Sequence, residues 1–79
     1  MYTVYVLRDS IGKLYKGMTS NLRRRLSEHR SGQTLSTRRF KNLDVIYTEE
    51  YDGFEEARKR EIYFKTAAGR RFLKNILRP

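Results

Sequence analysis

Residues 2–8 alternate two sets of side chains, Tyr2, Val4 and Val6 against Thr3, Tyr5 and Leu7. Aromatic and β-branched residues at period two describe a strand with two distinct faces. Asp9-Ser10-Ile11-Gly12 follows as a turn, and residues 13–18 supply a partner run. The chain is therefore committed at its start to an antiparallel hairpin. Such a hairpin brings the Tyr5 and Tyr15 phenols near one another on neighbouring strands.

Thr19-Ser20-Asn21 offers N-caps for a first helix, which carries the apolar pair Leu22 and Leu26 and stops at Ser31-Gly32. Residues 33–42 read as a polar, basic loop. Residues 43–48 read as a third strand with Leu43, Val45 and Tyr47 on one face and Ile46 on the other. Asp52 and Glu55 have the spacing of a capping box, opening a second helix over residues 54–68 that Gly69 closes as the C′ residue. Phe72, Leu73, Ile76 and Leu77 suggest a short terminal helix. The order β-β-α-β-α-α predicts an α+β fold, a three-stranded, mainly antiparallel sheet flanked by helices, in one domain over residues 1–79.

A chain of 79 residues sits near the lower size limit for an independent core, and no cysteine is present to staple it. The absence of cysteine fits a reducing compartment. No apolar run approaches membrane-spanning length, and the first residues lack the basic-then-apolar order of a signal peptide. A cytoplasmic protein with no membrane partner is expected. The formal net charge is +9, and its layout is uneven. Residues 1–43 hold ten Lys or Arg against Asp9 and Glu28, whereas six acids fall in 44–56, where there is no Lys or Arg. A mostly positive surface with one negative corner is what a partner of a polyanion presents.

Two buried faces carry charge. On the second helix Phe54, Ala57, Phe64 and Ala68 share a stripe, and Glu61 falls in its middle. A carboxylate there needs a cation, donors or a metal, so a salt bridge to Arg25 and a metal or catalytic role both stand open. On the first helix His29 lies close to the Leu22–Leu26 stripe and Arg25 on its border, four residues apart and able to act on one site. A carboxylate, a guanidinium, an imidazole and paired phenols form a set suited to phosphodiester cleavage.

Thr3-Val4-Tyr5, Tyr15-Lys16-Gly17, the helix Leu22-Arg23-Arg24-Arg25-Leu26-Ser27-Glu28-His29 and Arg60-Glu61 together resemble the GIY-YIG nucleases, over nearly the whole chain. The residues from Phe54 on look like the small standalone bacterial members. Thr3-Val4 stands where the family has Gly-Ile, and Lys16 where it has Ile. The resemblance implies metal-dependent hydrolysis of a nucleic-acid phosphodiester, with DNA the expected polymer and DNA repair the setting. It assigns one Mg²⁺ or Mn²⁺ to Glu61, the phosphate to Arg25, the general base to Tyr5 and the orientation of water or phosphate to Tyr15. His29 assists as base or relay, and Asn75 matches the family's late Asn.

The family's larger members add a DNA-recognition domain to this module, so binding here is expected to be backbone-led and poor in sequence preference. Arg23, Arg24, Arg30, Arg38, Arg39 and Lys41 are the expected contacts, and a protein partner could supply selectivity. A non-catalytic basic module with Glu61 braced by Arg25, or a purely structural basic protein, fits the same composition. The oligomeric state stays open.

Overall fold

The structure, a computed structural model, describes residues 1–32 and 42–77. Three strands, β1 (Tyr2–Arg8), β2 (Leu14–Thr19) and β3 (Asp44–Tyr51), form one antiparallel sheet in the order β2-β1-β3. Helices α1 (Leu22–Arg30), α2 (Phe54–Phe64) and α3 (Ala67–Ile76) complete the α+β architecture in the predicted order.

The β1–β2 turn is held by Asp9, whose carboxylate accepts from the backbone N–H of Ile11 at 3.1 Å and of Lys13 at 2.7 Å. Gly12 supplies the positive φ of 91° that a side chain would resist. Asn21 caps α1, its side chain accepting from the Arg24 N–H at 3.1 Å. Each face of β1 then builds its own apolar cluster. Val4 and Val6 pack with Ala57, Phe64 and Leu73 of α2 and α3. Tyr5 and Leu7 pack with Leu43, and with Tyr15, Leu22, Leu26 and Val45.

Three local expectations give way to tertiary packing. The third strand starts at Asp44 and runs on to Tyr51, with Glu50 opposite Thr3 and Tyr51 opposite Tyr2. The register shifts between Val6, which faces Tyr47, and Leu7, which faces Val45. This bulge leaves Ile46 as an extra residue and turns Tyr47 to the Val4/Val6 side, away from Val45. The second helix starts from Gly53 with no side-chain cap, so the Asp52–Glu55 box is not formed. Glu55 and Glu56 still favour its first turn through the helix dipole.

The third correction concerns residues 65–69. The helix predicted over 54–68 ends at Phe64, and Thr66 starts α3. The Thr66 hydroxyl donates to the Tyr63 carbonyl at 2.6 Å and accepts from the Gly69 N–H at 3.1 Å. Gly69 is thus inside the first turn of α3, not the C′ residue of α2. A Cβ there would strike the Tyr63 carbonyl oxygen and lie 2.6 Å from the Phe64 Cα, so Gly69 is what lets the helices meet. The break also puts Ala68 on a different helix from Glu61, where it is exposed. Phe54 is exposed too, lying edge-on against Tyr2.

Candidate active site

Tyr5 and Gly17 are paired across β1 and β2, and so are Leu7 and Tyr15. Directly paired residues share a face, so both phenols point toward α1. Gly17 carries no side chain for a specific reason. A Cβ there would lie 2.5 Å from the Tyr5 hydroxyl oxygen and 2.6 Å from its Cζ. The missing methyl is the space in which the phenol sits.

His29, in the last turn of α1, is 2% exposed and its Nε2 lies 3.0 Å from the Tyr5 hydroxyl. Its ring meets Tyr15 edge-on with centroids 5.0 Å apart, and the two tyrosine rings are 6.4 Å apart. Arg25, one turn earlier, places its positive charge where it acts on the Tyr5 phenol and donates to Glu28 at 3.0 Å. Its side chain stays 36% exposed, so the guanidinium is open to an anion from solvent. The structure thus brings Tyr5, Tyr15, Arg25 and His29 together.

Electrostatics sets the protonation of His29 and Tyr5. Burial, then the Arg25 charge, holds the His29 imidazole below its usual range. Burial pushes the Tyr5 phenol up, against the opposing influence of the Arg25 guanidinium. At neutral pH the pair is therefore a phenol and a neutral imidazole. The Tyr5 O–H donates to His29 Nε2 in the tautomer that leaves Nε2 unprotonated, and Nε2–H donates to the phenol oxygen in the other.

Glu61 stands on α2, between Ala57 and Phe64, which pack on the Val4/Val6 side of the sheet. It is 7% exposed, and its oxygens accept from Arg58 at 3.0 Å and Lys65 at 3.3 Å. The Glu61–Arg25 brace weighed from the sequence does not form, because Glu28 takes Arg25 and these two cations take Glu61. Glu61 touches none of the four clustered side chains in a described contact, although its charge is felt at the Tyr5 phenol. Asn75 is exposed on α3, and no described contact joins it to the cluster.

Arg23 and Arg24 are exposed on α1, with Arg24 3.8 Å from Glu28. Arg30 is exposed as well, and its Nε and Nη2 each donate to the Leu43 carbonyl at 3.3 Å. Arg38, Arg39 and Lys41 lie outside the described residues. Sequence reasoning missed Glu28, Arg58 and Lys65 as partners, although helical spacing to Arg25 and Glu61 signals all three. Among the described residues no group of three or more His, Asp or Glu could hold a metal. No helix among them is long and apolar enough to cross a membrane.

A hairpin-borne tyrosine pair, backed by an Arg and a His on the following helix of a β-β-α-β-α-α domain, defines a nuclease-type fold. The GIY-YIG catalytic domain matches residues 1–75, and the chain belongs to that family. It is 34% identical over 79 residues to a UPF0213 protein of Limosilactobacillus reuteri, covering 96% of this chain and 82% of the relative. A UPF0213 protein of Halobacterium salinarum is 36% identical over 66 residues, covering 82% and 86%. The solution NMR structure of the UPF0213 protein BH0048 from Bacillus halodurans superposes with a TM-score of 0.60 at 28% identity, covering 96% of this chain and 85% of that one.

Proposed function

We propose that the chain is a metal-dependent endonuclease that hydrolyses phosphodiester bonds, in DNA first of all, with little sequence preference. The observation that carries this reading is the 3.0 Å hydrogen bond between the Tyr5 phenol and the buried, neutral His29, with the Arg25 charge acting on both. A phenol cannot act as base at neutral pH unless its own proton has somewhere to go, and Nε2 is 3.0 Å away. As Tyr5 takes a proton from water, its own proton passes to His29, and the water oxygen attacks phosphorus while the 3′ oxygen leaves. The Arg25 guanidinium, whose charge acts on the Tyr5 phenol, is placed to hold a phosphate and stabilise its developing charge. Tyr15, more exposed than Tyr5, orients the water or the phosphate.

Glu61 suits a single Mg²⁺ or Mn²⁺, which takes one or two carboxylates and completes its shell with water and substrate phosphate. Such an ion neutralises phosphate charge and stabilises the leaving oxygen. Arg58 and Lys65 now occupy the Glu61 oxygens, and that observation favours the rival reading, a basic binding module in which Glu61 is a brace. The experiment that separates them assays single-stranded, duplex, flapped and branched DNA with Mg²⁺, Mn²⁺ or chelator. Wild type should cut only with metal. Glu61→Gln and Arg25→Ala should lower cleavage by orders of magnitude while nucleic-acid binding survives. If wild type cuts no substrate with either ion, the brace reading wins. The cysteine-free composition supports a cytoplasmic setting. Selectivity beyond the backbone falls to substrate shape or to a protein partner, and Asn75 stays in the catalytic set only as the counterpart of the family's late Asn.

A further inference from the structure

On the far side of β2 from the phenols, a groove of about 700 Å³ opens between the hairpin end of the sheet and α3. Arg8, Lys16, Arg70 and Lys74 line it together with Leu14 and Ile46, and no Asp or Glu does. Lys16 is half-buried, and burial, then the charges of Arg70 and Lys65, press its ammonium below the usual range. Four cations gathered on one concavity repel each other, and an anion is what relieves that repulsion. The floor adds a second requirement. A duplex keeps its bases stacked inside and has no use for Leu14 and Ile46, whereas an unpaired strand exposes base and sugar faces beside its phosphates. β2 is an edge strand, so Tyr15 on one face and Lys16 on the other flank the same rim of the sheet. Lys65, whose charge reaches Lys16, also bonds Glu61.

Building on the nuclease reading, we propose that this groove binds a single-stranded segment of the nucleic acid, which passes over the β2 rim from the phenol cluster. Its phosphates meet the four cations and its bases and sugars cover the apolar floor. None of these four residues belongs to the phenol cluster or to the contacts expected from the sequence.

The test uses fluorescence anisotropy of oligo(dT) in chelator, where no cleavage can occur, across a salt series. Arg70→Gln with Lys74→Gln removes two exposed charges on α3. Lys59→Gln with Arg71→Gln removes two exposed charges that do not line the groove and serves as the charge-matched control. The groove variant is expected to bind at least about tenfold more weakly near 0.1 M salt, with the log–log salt slope reduced by about 1.4, since a single strand contributes about 0.7 per neutralised contact. The control should change affinity by less than about threefold. Amide shifts on adding oligo(dT) should cluster at Gly12, Leu14, Lys16, Arg70 and Lys74. Equal losses in both variants, shifts confined to α1, or displacement of oligo(dT) by an acidic peptide with the same shifts would overturn the proposal. Cleavage is read separately. If wild type binds through the groove but never cuts, the nuclease reading fails and the groove stands. If the groove variant binds and cuts as wild type does, the groove fails alone.

Discussion

Gly17→Ala adds one methyl where the Tyr5 phenol already sits. The new Cβ would lie 2.5 Å from the hydroxyl oxygen and 2.6 Å from Cζ, inside any real contact distance, and Tyr5 is 1% exposed with nowhere to retreat. Strand propensity alone would favour the change by about 0.5–1 kcal/mol, because glycine is the costlier strand residue. Overpacking works against it by about 1–3 kcal/mol, and pulling the phenol off His29 breaks a buried hydrogen bond at a further cost of about 1–3 kcal/mol. One displacement causes both losses, so a net destabilisation of about 2–3 kcal/mol is expected. At ~4–8 °C per kcal/mol in a domain of this size, the midpoint should fall by about 10–20 °C. Urea and thermal denaturation followed by circular dichroism measure this directly. A double-mutant cycle then isolates the cause. In a Tyr5→Leu background the clashing atoms are absent, so Gly17→Ala should cost at least about 1 kcal/mol less. A neutral or stabilising Gly17→Ala, or the same cost in both backgrounds, would refute the steric reason for a glycine in Tyr15-Lys16-Gly17.

Three other outcomes follow from the same geometry. Because the folded protein holds His29 below its unfolded value of about 6.5, the unfolded chain binds more protons between those two values, so stability should fall as pH drops through that window. Thermal melts across pH should show this slope in wild type and a flatter one in His29→Gln. Arg60 forks onto Glu49 at 2.8 and 3.1 Å and lies over the rings of Tyr63, Phe64 and Phe72 at 4.7–4.9 Å. Arg60→Met should cost about 2–3 kcal/mol in urea denaturation, and adding Glu49→Gln should recover part of it, since Tyr47 and Tyr51 can still bond the amide. Gly69→Ala should destabilise by about 2 kcal/mol or more, although helix propensity alone favours alanine by about 1 kcal/mol. The sign of the measured change decides whether close helix approach or propensity governs that site.

Local pattern carried the hairpin, the order of elements and the inward turn of His29 and Glu61, because those follow from alternation and helical spacing within one element. What it could not carry depends on two elements at once. The bulge at Ile46 arises only when β3 must match β1, and it sends Tyr47 to Glu49 and the Val4/Val6 side. Gly69 reads as a helix stop by composition, but the Tyr63 carbonyl beside it makes it a packing residue. Glu28, Arg58 and Lys65 were visible by spacing, yet which of several cations and acids would pair is settled by where each helix faces. The groove on the far side of β2 draws on β1, β2, β3 and α3, and no linear motif marks it.

The sheet order has one more consequence. β2, the rim that carries Tyr15 and Lys16, and β3, the rim that carries Asp44 and Glu50, are opposite edges of the same sheet. Among the described residues the two rims are therefore unlike, a cation on one and carboxylates on the other. A polyanion approaching edge-on meets less repulsion at the β2 rim than at the β3 rim, and added salt should narrow that difference.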